Sequence, residues 1–232
     1  MNDRVLVWDL PLRVFHWVLA ASFAGAFLTA ESERLRDLHL LFGYTFAAAI
    51  AFRLVWGFIG TRHARFSSLR YGPDDVRRYL VSLVQGRAEP HAGHSPVGMV
   101  MIPLLLGLGI AVAASGWAVY SDLGGEWLEE AHEAAAGVML AVVIGHVFGV
   151  VVVSALQREN LALALVTGRK RGAPNEAIRS ARPIAALLLL VALAGLWLPG
   201  IIAREQRLAE QARGAPFAAA GENAGARASH RD

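Results

Sequence analysis

The 232 residues are 55% hydrophobic and only 18% charged, with a mean hydropathy of +0.43, whereas an ordinary soluble domain carries about 25% charge. The composition is that of an integral membrane protein, and the segments left once the apolar runs are subtracted are too short to build a separate core. Zero cysteines exclude disulfides, iron–sulfur clusters, thiolate zinc sites and c-type haem attachment. The formal net charge is only +3, and the 22 basic residues include a single lysine, Lys170. They gather in particular loops, a pattern of membrane topology rather than of nucleic-acid binding.

A helix crossing about 30 Å of hydrocarbon needs roughly 20 mostly apolar residues, and five stretches qualify. Val14 to Ala30 is uncharged, and Leu38 to Thr61 is interrupted only by Arg53. Ser95 to Ser121, Ala134 to Gln157 and Pro183 to Ala203 contain no Asp, Glu, Lys or Arg. The first stretch reads as a span and not as a cleaved signal, because it lacks a small-residue cleavage pattern and has Arg-Val-Phe-His-Trp where an apolar region should begin. Between the second and third spans, Ser68, Gly72, Pro73 and Asp74 are turn signals, and Asp75 to Val84 reads as a surface helix with Pro73 and Asp74 at its start.

Cytoplasmic loops accumulate arginine. Arg62, Arg65, Arg70, Arg77, Arg78 and Arg87 follow the second span, and Arg158, Arg169, Lys170, Arg171, Arg179 and Arg182 follow the fourth. The turn before the fourth span carries Asp122, Glu126, Glu129 and Glu130 and no base. This asymmetry predicts a multi-pass membrane protein with a cytoplasmic N-terminus. The expected organisation is a four-helix transmembrane domain over residues 1–172, a linker and fifth transmembrane helix over 173–203, and a disordered periplasmic tail over 204–232, rich in Ala, Gly and charge. Trp197 of the fifth helix is expected near the outer interface.

Eight histidines are present. His63, His91, His94 and His230 fall in loops or the tail and read as solvated; His91 and His94 have the spacing of half a metal site, with no partner cluster beside them. His16, His39, His132 and His146 fall within or at the ends of spans, where ionisable groups are rare and functional by default. Counted from the span ends, His16 lies on the inner half and His39 on the outer half. On the fourth span, His132 lies at the outer end and His146, fourteen residues on, toward the inner half. Fourteen helical steps advance about 21 Å and return to within roughly 40° of the same face. Two imidazoles at one depth on facing helices can grip a planar tetrapyrrole, so this depth matching implies two bis-histidine b-type haems. The iron ligands would be His39 with His132 for the outer haem and His16 with His146 for the inner one. Such haems have no open axial site and suit electron transfer. Gly43, Gly137, Gly145 and Gly149 fit close approach of a macrocycle, although small residues also serve plain helix contacts. Arg53, fourteen residues after His39, falls at the depth of the inner pair, where no carboxylate of the first four spans stands. A haem propionate is the expected counter-ion, and snorkelling to the interface is the alternative.

The segments VWDLPLRVFHWVLAASF, LHLLFGYTFAAAIAFRLVWGFIGTRHARF, GHSPVG and AHEAAAGVMLAVVIGHVFGV resemble the bacterial and nickel-hydrogenase type cytochrome b561 family over about residues 5 to 172. The specific features are the histidine before Trp17, the histidine four residues before Gly43, the Arg-Leu-Val-Trp-Gly end of the second span and the fourteen-residue histidine pair. The resemblance implies an all-α four-helix bundle binding two b-type haems with the same ligand pairing. It also implies electron exchange with membrane quinone and a periplasmic redox partner. Two departures stand out. The turn from Glu31 to Asp37 is short, which favours a c-type cytochrome or another periplasmic oxidoreductase subunit over a hydrogenase. The fifth stretch contains no histidine and lies beyond the matched region.

Two other functions remain open. A self-contained superoxide:ubiquinone oxidoreductase would need a basic outer mouth, which the acidic turn opposes. A haem-free membrane anchor or transporter would show no b-type absorption. Trp17, Trp56 and Arg53 are candidates for the surroundings of a quinone, but they are also ordinary interfacial residues, and no quinone ligand is assigned.

Overall fold

The computed structural model describes residues 4–87, 91 and 93–202. The chain divides into two compact units, Met1–Val191 and Ala192–Asp232. Of the second unit, only 192–202, the end of the last helix, is described. The proposed tail, including His230, lies outside the described residues.

Strand β1 (Arg4–Leu6) leads into α1 (Leu10–Thr29). Asp9 caps α1 by accepting from the Leu12 amide at 2.9 Å, and Pro11 brings its pre-set φ to the first turn. A 3-10 turn at Glu33–Leu35 passes directly into α2 (Arg36–Ile59). Helix α3 (Pro73–Val84) begins at a proline, and the Asp75 carboxylate reaches back to accept from the Gly72 amide at 2.8 Å. That hydrogen bond, with the Arg78 guanidinium beside it, holds the Asp75 carboxyl below the usual carboxylate range. Ser95 caps α4 (Pro96–Tyr120) by accepting from the Gly98 amide.

Helix α5 runs from Glu126 to Gln157, beginning eight residues before the charge-free stretch that starts at Ala134. Glu126, Glu129 and Glu130 are therefore helical, and the acidic turn shrinks to the residues before Glu126. The reason is local: the Gly124-Gly125 pair breaks the chain, and Glu126 and Glu129 in the first turn favour the positive end of the helix dipole. Its 32 residues reach about 48 Å at ~1.5 Å each, longer than the hydrocarbon, so its acidic start projects beyond it. Helix α7 spans Pro183–Ile202. Helices α1, α2, α4, α5 and α7 are each long and apolar enough to cross a membrane. Phe58 and Phe148, 73% and 69% exposed, typify an outer surface that only a bilayer accommodates.

Sequence periodicity did not reveal the structure that closes the N-terminal face. After α5, the short α6 (Leu161–Thr167) leads to β2 (Arg169–Arg171), which pairs antiparallel with β1, Val5 opposite Lys170. Gly168 makes the junction: its φ is +77°, and a Cβ there would come within 2.8 Å of the Trp8 carbonyl. Its own carbonyl accepts from the Val7 amide at 2.8 Å. Arg13 closes the end of α6 by donating to the carbonyls of Leu165 and Val166.

In the bundle interior, Phe23, Phe46, Ile50, Val112 and Met139 form the buried core, with the Phe23 and Phe46 rings 5.9 Å apart. Phe23 follows His16 by seven positions, Phe46 follows His39 by seven, and Met139 is midway between His132 and His146. Seven helical steps are two turns, or about 10.5 Å, so this apolar layer lies between two levels of histidine.

Candidate functional site

Near the start of α1 and the end of α5, the His16 and His146 rings stand with centroids 6.5 Å apart and planes tilted by 50°. At the opposite end, His39 near the start of α2 and His132 in the second turn of α5 stand 6.4 Å apart, edge to face. Helices running in opposite directions bring residues distant in sequence to one depth, which is why α5 supplies one member of each pair.

Second partners orient the rings of the second pair. His39 Nδ1 lies 2.9 Å from the carbonyl of Ala26, in the last turn of α1, where carbonyls lack helical partners. A carbonyl only accepts, so Nδ1 carries the proton and Nε2 keeps its lone pair. His132 Nδ1 lies 3.0 Å from Ser115 Oγ, and that hydroxyl donates to the Ala111 carbonyl at 2.8 Å. With its proton committed, Oγ accepts from Nδ1–H, and Nε2 of His132 is also the free nitrogen. This is the arrangement that prepares an imidazole for a metal. Gly116 makes room for it: a Cβ there would come within 2.8 Å of the His132 ring. In the first pair, His16 Nδ1 is buried without a hydrogen-bond partner.

These residues fit a haem. A metal about 2.0–2.1 Å from one nitrogen of each of two imidazoles sets the ring centres about 6.3 Å apart, and both pairs meet that spacing. A Cβ at Gly43, Gly137, Gly145 or Gly149 would meet nothing within 4 Å, leaving room along the helices beside the histidines. His16, His146, His39 and His132 could therefore supply axial ligands at two levels.

A family model described as prokaryotic cytochrome b561 matches residues 7–168. The chain belongs to this family. The match runs from Val7 to Gly168, the two residues whose backbones bond to each other beside the β1–β2 ribbon. It contains all four paired histidines and Arg53 and ends before α7. The probable Ni/Fe-hydrogenase B-type cytochrome subunit of Azotobacter chroococcum mcd 1 is 29% identical over 160 residues, covering 55% of this chain and 65% of that protein. Its counterpart from Azotobacter vinelandii is 28% identical over 151 residues, covering 52% and 61%. That of Rhodobacter capsulatus is 22% identical over 217 residues, covering 73% and 82%. The chain thus spans less than two thirds of the length of the first two relatives. No solved structure matches. Membership makes this a b-type cytochrome with membrane-spanning helices, of a family whose cofactor is haem b.

Arg53 occupies different surroundings from those expected. It is buried, 3% exposed, with its guanidinium carbon 4.6 Å from the centre of the Phe66 ring. Gly57 makes this possible, since a Cβ there would overlap that ring. The expectation that no carboxylate acts on Arg53 is corrected: Asp9 does so electrostatically. Fully buried, Asp9 accepts from the Leu12 amide, Trp56 Nε1 at 3.1 Å and Thr61 Oγ1 at 2.6 Å. It sits just before α1, outside the apolar run itself. Its sequence signal was legible: an Asp followed by Leu-Pro at the head of a helix is an N-cap. Arg53 Nη1 nonetheless has no hydrogen-bond partner. Ser115, which orients His132, carried no signal of its own.

His63 and His94, read as solvated, are both partly buried beneath this end of the bundle. The His94 ring packs 4.6 Å from Trp8, and His63 Nε2 donates to the Glu176 carbonyl at 2.8 Å. Burial pushes the His94 imidazole down to about 3, helped by the positive charges of Arg53 and Lys170 and by His63. Lys170, also buried, donates to the His91 carbonyl at 2.6 Å and the Gly93 carbonyl at 3.3 Å. Its ammonium is pushed below the usual lysine range by burial, partly offset by Glu159 and Glu176.

Proposed function

We propose that this cytochrome carries electrons across the bacterial inner membrane between quinone and a periplasmic redox partner, by way of two b-type haems. The observation that carries the reading is the pairing of His16 with His146 and of His39 with His132 at 6.5 and 6.4 Å, two levels separated by an apolar core. Each haem, if bound, would supply a one-electron carrier held by one of these histidine pairs. The Ala26 carbonyl and Ser115 hydroxyl hold the proton on Nδ1 of His39 and His132, leaving Nε2 to bind iron. Phe23, Phe46 and Met139 keep water out of the layer between the levels, so that level-to-level passage moves charge without an aqueous path. The orphaned Nη1 of Arg53 supports a propionate of the inner haem as its further anion.

The N-terminal face is assigned to the cytoplasm, because Arg62, Arg65, Arg70, Arg169 and Arg171 all flank helix ends there. Residues 1–172 then form the di-haem domain, and α7 is an added span. The relatives' names attach them to hydrogenases. For this chain, whose turn between α1 and α2 is short, the proposed partner is a c-type cytochrome or another oxidoreductase subunit that docks near Glu126 and Glu129.

The deciding experiment has two stages. A reduced-minus-oxidised spectrum with pyridine haemochrome quantification should give two b-type haems per chain. In proteoliposomes, a quinol should then reduce them, and an externally added c-type cytochrome should reoxidise them. One haem per chain would refute the two-level assignment, and haems inert to quinol would refute the electron donor or acceptor named here.

A further inference from the structure

A cavity of about 980 Å³ opens at the N-terminal face, outside the histidine pairs. Met99 in the first turn of α4 and Gln157 at the end of α5 line it, and Arg62, three residues beyond α2, faces them. The ends of three spanning helices converge there, which places the cavity at the level of lipid headgroups rather than of acyl chains.

Its charge is one-sided. Arg62, Arg65, Arg70 and Arg171 all line it, and among the described residues Glu176 is the only acid in the lining. The Glu176 carboxylate is committed to the Ala173 amide at 2.8 Å. Among the described residues, none of the four arginines forms an ion pair; the ion pair found there joins Arg78 to Asp75. Three of them are instead tethered by one donor each to a backbone carbonyl: Arg62 to Asn175, Arg65 to Gly60 and Arg70 to Ser67. This leaves most of each fork free while fixing where it stands, and the Arg171 side chain makes no hydrogen bond at all among the described residues. The four side chains are exposed, and their like charges add to a positive field that attracts an anion. Planar guanidinium forks match the oxygens of a tetrahedral phosphate, and basic pockets between membrane helices at this depth suit phosphate-bearing headgroups.

We propose that this cavity binds one phosphate group, of an anionic phospholipid or free in solution, through Arg62, Arg65, Arg70 and Arg171. The site is independent of the haem assignment and lies on residues that assignment does not use.

The test uses the purified full chain in phosphatidylcholine nanodiscs, with thermal unfolding and native mass spectrometry as readouts. Phosphatidylglycerol is titrated in one arm and inorganic phosphate in the other. At least one should stabilise the wild type saturably, and Arg62→Gln/Arg171→Gln should weaken its apparent affinity about tenfold or more. Arg171→Lys, which keeps the charge but loses the planar fork, should retain only part of the affinity. If the double variant does not fold, Arg171→Gln alone serves, because that side chain holds no other group in place. A response to lipid alone assigns the headgroup, a response to inorganic phosphate alone assigns a soluble anion, and a response to both assigns a phosphate site open to either. No response in either arm, or an equal response from the arginine variant, overturns the proposal.

Discussion

Asp9→Asn tests the join between α1 and α2 at its most constrained point. The carboxylate is fully buried and accepts from Leu12 N at 2.9 Å, Trp56 Nε1 at 3.1 Å, Thr61 Oγ1 at 2.6 Å and Thr61 N at 3.4 Å. An amide of the same shape replaces one acceptor oxygen by a donor: with nitrogen at Oδ1 the Leu12 amide loses its acceptor and Trp56 Nε1 keeps only Oδ2, and with nitrogen at Oδ2 both Thr61 donors lose theirs. Hydrogen bonds to a charged acceptor contribute about 1.5–3 kcal/mol each. Arg53 also loses the carboxylate that acts on it, and removing one member of a buried charge pair costs about 3–5 kcal/mol where the two are in contact. Since no Asp9–Arg53 ion pair forms among the described residues, the hydrogen bonds set the scale, and we expect Asp9→Asn to destabilise the protein by about 2–4 kcal/mol. Denaturant unfolding in mild detergent at neutral pH, followed by far-UV circular dichroism, measures this. In a double-mutant cycle with Trp56→Phe, the two changes should couple by about 1 kcal/mol or more, because they remove the same bond. A cost for Asp9→Asn below about 1 kcal/mol, or strict additivity in the cycle, would refute the idea that this carboxylate joins the two helices.

Four further outcomes are expected. His39→Ala and His132→Ala should each remove the same haem, and His16→Ala and His146→Ala the other, read by pyridine haemochrome; loss of a common haem from His39→Ala and His16→Ala would refute the pairing. Arg53→Leu removes a positive charge that favours the reduced state, so the potential of the inner haem should fall while that of the outer one changes little; a redox titration without any shift would detach Arg53 from the haem. Electron exchange with a basic periplasmic partner should slow as the Debye length shrinks from ~10 Å at 0.1 M to ~3 Å at 1 M salt, and Glu126→Gln/Glu129→Gln should slow it at low salt with haem content unchanged; rates flat in both comparisons would rule out acidic docking. His94 is held down to about 3 by burial, below its unfolded value of about 6.5, so the unfolded chain binds the extra proton between those values. The stability His94 contributes is then complete above about pH 6.5 and falls as pH drops toward 3, by up to about 1.4 kcal/mol per pH unit. In His94→Gln, stability should depend less steeply on pH across that window, and identical slopes would place His94 in solvent.

The five membrane spans were legible because hydrocarbon imposes a length and an apolar composition that any spanning helix must display in its sequence. The depth of each histidine followed from counting helical rise, and His16, His39, His132 and His146 stood out because ionisable side chains are rare in such runs. The start of α5 at Glu126 escaped because its first turns are charged, while Gly124, Gly125 and the dipole set the boundary. What lies between the spans was not legible for a different reason. The β1–β2 ribbon joins Arg4–Leu6 to Arg169–Arg171 across the whole domain, through backbone groups that every sequence possesses. Asp9 meets Trp56 and Thr61, and His94 meets Trp8, over separations no periodicity records. Periodicity reports how a helix meets its solvent, and so the sequence alone determined the membrane-spanning frame and the levels at which histidines stand. The tautomers of His39 and His132, the charge beside Arg53 and the burial of His94 and Lys170 depend on which helix ends converge, and only the tertiary structure decided them.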